Sequence, residues 1–216
     1  MFIGHYGLAF ASKKASRKIQ LGTAILAAQF LDLLWPVLTL MNIEWFSIDP
    51  GNTKITPLNF EHYPYSHSLL GSTVLAIFFG LFYYLFKKDR KLSVIYALLV
   101  FSHWVLDFIT HRPDLPLTYT SSQKIGLGLW NYPGPAIFAE CLIYISGIYI
   151  YLKNTKAINK KGNILLWILL LLLAAFYAIN LSGPPPPSTK MVSYSALALW
   201  IFVALGYWID KNRTNA

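Results

Sequence analysis

Six long apolar runs alternate with short polar segments along the chain. Each run has about 17–25 residues, the length that crosses a bilayer as an α-helix. Their approximate bounds are Ile19–Met41, Ser68–Phe86, Leu92–Thr110, Ala136–Leu152, Ile164–Leu181 and Met191–Ile209. No polar block between the runs is long enough to fold separately. The pattern therefore predicts an all-α, polytopic transmembrane bundle of about six spanning helices, forming a single integral membrane domain over residues 1–216.

An additional apolar segment, Met1–Ser12, precedes the first run and is too short to span. Two placements are open for it. It could lie flat in the membrane interface, or it could enter the membrane as a short half-helix that ends at the basic pair Lys13–Lys14. Only the second placement would bring His5 into the bundle.

Charge agrees with a membrane protein and indicates its topology. Hydrophobic residues make up 56% of the chain and charged residues only 12%, against about 25% in a soluble domain. The numbers of Lys and Arg in the successive segments outside the six runs are 4, 1, 4, 2, 4, 1 and 2. By the positive-inside rule this alternation puts both termini in the cytoplasm and the protein in the cytoplasmic membrane. The net charge of +9 thus reflects topology and does not predict a nucleic-acid partner.

Four ionisable residues lie within the apolar runs: Asp32, His103, Asp107 and Glu140. A charged residue at the centre of a spanning helix costs about 2.5–3.5 kcal/mol, so such residues usually face a partner or a cavity. At about 1.5 Å of rise per residue, all four lie about 18–24 Å from the cytoplasmic basic clusters. They are predicted to share one layer, slightly outside the membrane midplane. The alternative is that each is satisfied separately by a serine or a backbone carbonyl.

The third run has a spacing that favours a metal site. His103, Asp107 and His111 recur every four residues, so successive side chains are about 40° apart and lie on one stripe of the helix. Imidazole nitrogen and carboxylate oxygen both suit zinc or another divalent ion. A second cluster, Glu61–Ser68, enters the second run from the outer side and contains His62 and His67. Motifs of serine hydrolases and of His-Glu-x-x-His zinc proteases are absent.

These residues resemble a family of small bacterial membrane proteins described as metal-dependent hydrolases, which includes a LexA-binding inner-membrane group. The matching segments are His5, Ala28-Gln-Phe-Leu-Asp32, Tyr65-Ser-His-Ser-Leu69, and Ser102-His-Trp-Val-Leu-Asp107 with Thr110. The resemblance covers residues 1–117. That family often has two acids in its first-helix motif, whereas this chain has only Asp32 there, and His111–Asp114 is not general in it. The resemblance implies a metal-dependent hydrolase.

The sequence therefore predicts a metal-dependent hydrolase whose site opens to the extracytoplasmic side and takes a lipid or another amphiphile. The expected ligands of a divalent ion, zinc among the candidates, are His67, His103, Asp107 and Asp32. The expected catalytic groups are Glu140, as general base, and Asp32. Secondary candidates are His5, Gln29, Glu61, His62, His111 and Asp114. Residues 1–152 would carry the site, and residues 153–216 would form two supporting helices.

Two other functions use the same residues. A transporter of protons or divalent cations would use them as a relay or as an ion site. A non-catalytic membrane scaffold would use them only to fix the packing of its helices. The short chain and the outer position of most histidines favour the hydrolase over the transporter.

Overall fold

The computed structural model describes residues 1–216 and is mainly helical. The helices are α1 (Ile3–Ala11), α2 (Leu21–Ala28), α3 (Phe30–Leu40), α4 (Pro64–His67), α5 (Leu69–Lys87), α6 (Arg90–Thr110), α7 (Pro133–Asn154), α8 (Lys160–Ser182), α9 (Thr189–Ala196) and α10 (Leu199–Asp210). Three antiparallel strand pairs join loops: β1 (Trp45–Ile48) with β2 (Leu58–His62), β3 (Leu115–Pro116) with β4 (Lys124–Ile125), and β5 (Thr155–Ala157) with β6 (Arg213–Asn215).

The helices confirm the predicted transmembrane bundle, with one change in the first span. Five are long and apolar enough to cross a membrane: α5, α6, α7, α8, and α9 with α10 as one unit. The first predicted run is not one straight helix but the pair α2 and α3, bent by 53° at a break at Gln29. Counting this pair as one span gives six. Pro36 lies within α3 and cannot donate a backbone hydrogen bond, which weakens this helix further.

Helix α6 lies at the centre of the bundle and α5 at its edge. Half of the most apolar window of α6 is buried inside the protein, against 22% for α5. The outward face of α5 exposes large apolar side chains, among them Ile77, Phe78, Leu81 and Phe82. Such a continuous apolar surface is expected where a helix contacts lipid. The central position of α6 brings its polar residues into the interior.

Helix α1 is inserted into the bundle beside α7, which excludes the flat interfacial placement. Seven of its nine residues are buried, and His5 is 1% exposed. The backbones approach closely where Gly7 faces Gly147, since a Cβ on Gly147 would lie 2.1 Å from the carbonyl oxygen of Gly7. Glycines at both positions therefore allow α1 to lie deep enough for His5 to reach the polar layer.

Contacts between loops divide them into two groups, as the charge alternation predicts. In one group, Lys18 pairs with Asp89 at 3.3 Å, and β5 after α7 pairs with β6 in the C-terminal tail. In the other, Arg112 donates a hydrogen bond to Asn59, which joins the two long loops. The first group contains the strongly basic segments. By the positive-inside rule, this group is expected on the cytoplasmic side.

Candidate metal centre

Four donor atoms from three helices meet in the half of the bundle away from the strongly basic loops, called the outer half below. His103 and Asp107 come from α6, Asp32 from the first turn of α3, and His67 from the end of α4. The Nε2 atom of His103 lies 3.1 Å from Asp107 Oδ2 and 3.5 Å from Asp32 Oδ1. The Nε2 atom of His67 lies 3.5 Å from the same Asp32 oxygen and 3.8 Å from Asp107 Oδ2. A tetrahedral ion with donors at about 2.1 Å separates neighbouring donors by about 3.4 Å. Asp32, His67 and His103 are close enough to one another to hold one such ion, and Asp107 lies beside them.

The hydrogen bond to Ala28 fixes the orientation of the His103 ring. Its Nδ1 atom lies 2.7 Å from the carbonyl oxygen of Ala28, and a carbonyl can only accept. The α2 helix ends here, and carbonyls in the last turn of a helix are free to accept from side chains. His103 therefore donates through Nδ1, and Nε2 carries the lone pair that faces the two carboxylates.

His67 is held by a two-step hydrogen-bond chain that ends at Glu44. The Ser66 hydroxyl donates to Glu44 Oε2 at 2.6 Å and accepts from His67 Nδ1 at 2.7 Å. The other carboxylate oxygen of Glu44 accepts from the backbone N–H groups of Tyr65 and Ser66, both at 2.8 Å. Glu44 is fully buried. It thus fixes the start of α4 and, through Ser66, leaves Nε2 of His67 free to bind a cation.

His111 has a similar arrangement at the outer mouth. It follows the last residue of α6 and is therefore not part of the helical stripe, yet its Nε2 lies 4.0 Å from Asp107 Oδ1. Its Nδ1 donates to Asp114 Oδ1 at 2.9 Å. The Tyr63 hydroxyl donates to the same oxygen at 2.6 Å, and burial raises the pKa of Tyr63 well above its usual value. Tyr63 thus remains a donor at neutral pH, and Asp114 fixes the His111 ring.

His5 and the amino group of Met1 reach the same carboxylate from α1. His5 Nε2 lies 3.2 Å from Asp107 Oδ1, and its ring stacks on His103 with centroids 3.7 Å apart. The Met1 nitrogen lies 2.5 Å from Asp107 Oδ1 and 3.2 Å from the Thr110 hydroxyl. Asp107 therefore lies near four histidines, which are His5, His67, His103 and His111, and near the Met1 amino group.

Binding of a divalent cation would satisfy these donor atoms better than hydrogen bonds among them do. His103 Nε2 is buried and has no hydrogen-bond partner, although Asp107 is near. The two carboxylate oxygens near it lie at 3.1 Å and 3.5 Å but at angles that form no good hydrogen bond, and without a proton its lone pair repels them. A cation between them would bind all of these atoms. Mixed imidazole and carboxylate donors suit zinc and similar divalent ions.

A cavity of about 680 Å³ adjoins the cluster. On one side it is lined by the polar residues Asp32, His67, Asp107, His111 and Glu140. Its other walls carry most of its apolar lining and come from α3, the β1–β2 hairpin, the outer end of α8, the proline-rich connection, α9 and the start of α10. The cluster is thus accessible to a molecule with a polar and an apolar part.

Glu140 lies on α7 and has two contacts with α1. Its Oε2 atom accepts from the backbone N–H groups of Phe2 at 2.8 Å and Gly4 at 3.1 Å. These are orphan donors at the start of a helix, which a carboxylate satisfies well. The Oε1 atom accepts no hydrogen bond from the chain. Glu140 therefore both anchors α1 and borders the cavity.

The remaining predicted candidates lie apart from the cluster. His62 stacks on Trp45 at 4.0 Å between ring centroids, and Glu61 is exposed and bonded to Ser47. Gln29 is fully buried at the break between α2 and α3, and neither of its side-chain polar atoms has a partner. The sequence thus grouped more residues than the fold brings together.

Sequence reasoning gave no role to three residues that orient the histidines: Glu44, which it did not single out, and Ser66 and Tyr63, which lie in the Glu61–Ser68 cluster. All three come from the outer loop between α3 and α5, where no helical periodicity relates them to the site. One signal was available, since α4 begins with Pro64 and has no acidic residue of its own in the first turn. Its N-terminal donors needed an acceptor from elsewhere.

Comparison with known proteins gives one match. Residues 3–184 match the family described as YdjM inner membrane protein. No curated protein and no solved structure matches the chain. The match covers far more than half of the chain, including α1 to α8, and the spanning helices agree with an inner-membrane location. The chain belongs to the YdjM inner membrane protein family.

Proposed function

We propose that this protein is a metal-dependent hydrolase of the inner membrane, with its site open to the extracytoplasmic side. The observation that carries the proposal is the grouping of the His67 and His103 Nε2 atoms with Asp32, with the Asp107 carboxylate next to both histidines, beside a cavity. When bound, a divalent ion supplies Lewis-acid activation of water near neutral pH. Its ligands in this proposal are those four residues.

The substrate class follows from the walls of the cavity. Trp35, Phe176 and Leu199 are among the apolar residues that face the acids and histidines across it. Lys54 at its edge is the only basic side chain that lines it. These features favour an amphiphile with an anionic or polar head group. The head would lie against the cluster and the tail along α8 and α10.

Glu140 is proposed as the general base. Its Oε2 atom is held by two backbone N–H groups, which orient the carboxylate and leave Oε1 available. This oxygen would accept a proton from the attacking water and return it to the departing alcohol oxygen. Asp32, whose side chain is 27% exposed, is the other carboxylate that a substrate could contact.

The test is hydrolysis by the purified protein in detergent. Wild type and Asp32→Asn would be measured against fluorogenic carboxylic and phosphoric esters that carry long acyl chains. We expect turnover by wild type that is lost with chelator, restored by zinc or manganese, and absent in Asp32→Asn. Movement of zinc into proteoliposomes without ester hydrolysis would favour a transporter, and absence of bound metal would contradict the proposal.

The orientation is tested separately by reporter fusions. Fusions at Lys88 and Lys160 should report the cytoplasm, and fusions at Gly51 and Gln123 should report the outer side. This follows from the positive-inside rule and from the two groups of loops. A cytoplasmic signal at Gly51 would overturn the proposed outward opening.

A further inference from the structure

The two carboxylate oxygens of Asp107 face different sets of histidines. Oδ2 faces His103 and His67, at 3.1 Å and 3.8 Å from their Nε2 atoms. Oδ1 faces His5 and His111, at 3.2 Å and 4.0 Å. We propose that Asp107 bridges two divalent cations, one on each oxygen, and that His5 and His111 belong to the second. This inference rests on the metal centre proposed above and adds a second ion to it.

A single ion does not account for all of these donors. Two sets of three residues are close enough to hold an ion: Asp32 with His67 and His103, and His5 with His103 and Asp107. Both sets include His103, whose one free nitrogen can bind only one ion. Its shorter distance to Oδ2 and its nearness to Asp32 assign it to the first ion. His5 is then left with Asp107 Oδ1.

His5 is the clearest sign of a second position. Its ring is 1% exposed, and neither nitrogen has a hydrogen-bond partner. Buried polar groups are rarely left without partners, because desolvation is not then offset. The ring stacks on His103 almost in parallel, with an interplanar angle of 2°. Parallel rings direct the two Nε2 atoms to the same carboxylate, one to each oxygen.

His111 is prepared as a ligand in the way typical of metal sites. Its Nδ1 donates to the Asp114 carboxylate, which leaves Nε2 to bind a cation. A carboxylate behind a histidine also makes that histidine a better donor. No other role in the fold requires this Nε2 to face Asp107, since Asp114 already holds the ring.

A positively charged group already lies beside Asp107 Oδ1, which agrees with a cation at the second position. The Met1 nitrogen already lies 2.5 Å from Oδ1, so a positive group is accommodated there. In the proposal a divalent ion replaces this contact. Two ions that share a carboxylate are about 3.5–4 Å apart, a separation known from hydrolytic two-metal sites. Such a pair would act on both the attacking and the leaving oxygen of a phosphoric ester.

The experiment uses the full-length protein in detergent, loaded with Mn²⁺ and freed of excess ion. Elemental analysis counts the ions per chain, and electron paramagnetic resonance detects magnetic coupling between them. We expect about two coupled ions in wild type and one uncoupled ion in His5→Ala and in His111→Ala. Asp114→Asn, which weakens the support of His111 and of Tyr63 but removes no proposed ligand, should lower the affinity for the second ion while the first remains. His62→Ala, which removes a histidine outside the cluster, should match wild type.

The outcomes separate this inference from the proposed function. One ion per chain in wild type, unchanged in His5→Ala and His111→Ala but lost in His103→Ala, would overturn the second position and leave the first intact. Two ions that persist in both variants would also overturn it, because the second ion would then lie elsewhere. No bound ion in wild type would contradict the metal centre itself.

Discussion

Polar side chains at the two ends of the bundle are satisfied in different ways. At the proposed cytoplasmic end, Asp210 accepts from the backbone N–H groups of Leu21 at 2.9 Å and Gly22 at 3.0 Å. Arg213 in the same region donates to Thr155 and Asn163. In the outer half, nitrogens of His5 and His103 are buried without a partner. The first group thus completes its hydrogen bonds within the chain, and the second does not.

This difference distinguishes polar groups that stabilise the fold from polar groups that form a binding site. A buried donor or acceptor left unpaired destabilises a protein by about 1–3 kcal/mol. Asp210 avoids this loss by capping α2, and Arg213 avoids it by joining β6 to β5 and α8. The outer layer instead aligns several unpaired nitrogens on two carboxylates, an arrangement that a cation would stabilise. Glu44 and Glu140 fall between the two groups, because each caps a helix and also adjoins the site.

The largest effect on bound metal is expected from Asp107→Ala. Asp107 is the one residue that contacts both sets of histidines, so its loss should reduce bound metal to background. His103→Ala should remove the first ion, because His103 is one of the ligands proposed for that ion. Elemental analysis of the purified variants is the measurement.

Asp210→Asn is the control from the other end of the bundle. It should keep the full metal content. Asn has one acceptor oxygen where Asp210 uses two, so the loss of one hydrogen bond should lower the free energy of unfolding by about 1 kcal/mol. A wild-type metal content in Asp107→Ala, or loss of bound metal in Asp210→Asn, would contradict the assignment of the metal site to the outer half of the bundle.

A smaller effect is expected from Glu44→Gln. The amide offers one acceptor oxygen where the carboxylate offers two, so it cannot serve the α4 backbone and Ser66 together. Loosening His67 in this way should weaken metal affinity by about 10–100-fold. Titration against a fluorescent chelator would measure it.

Glu61→Gln is the matched control, since Glu61 lies in the same outer loop but is exposed. Its affinity should equal that of wild type. An unchanged affinity in Glu44→Gln would show that the hydrogen-bond chain through Ser66 serves the fold alone.

The spanning helices could be predicted from the sequence because their signal is local. Twenty or so consecutive apolar residues suffice for a span, whatever the neighbouring helices are. The break at Gln29 was not predicted, since the apolar run continues through it without interruption. Pro36 signalled a distortion of this helix, but the break lies seven residues earlier.

The residues of the candidate site could be named from the sequence, but helical spacing related only those on α6 to one another. The spacing of His103 and Asp107 brings them together on α6, and the depth of Asp32 put it in the same layer. The insertion of α1 depends on the tertiary contact of Gly7 with Gly147, which no single segment reveals. Likewise, the link from Glu44 to His67 joins residues on either side of a β-hairpin.

The smallest effect on bound metal is expected from Glu140→Gln. Glu140 is neither purely a helix cap nor purely a site residue, because it caps α1 and also borders the cavity. Gln has nearly the same volume and retains one oxygen that can accept from Phe2 and Gly4. Helix α1 and His5 should therefore keep their positions, and metal content should equal that of wild type. The amide cannot accept a proton, so hydrolysis should fall by about 10²–10⁴-fold. Metal analysis and ester hydrolysis on the same preparation give both values.

Two other results would each assign Glu140 a single role, either in the metal site or in the fold. If Glu140→Gln loses metal as fully as His103→Ala, the carboxylate is needed as a ligand or as a charged anchor of α1. Glu140→Ala distinguishes these, because losing the anchor would also release α1 and raise the hydrogen exchange of its amides. If Glu140→Gln keeps both metal and full activity, then Glu140 belongs with Asp210 as a helix cap, and Asp32 becomes the candidate for the base. The reason is that Asp32 is then the remaining carboxylate that lines the cavity and is not shared between two sets of histidines.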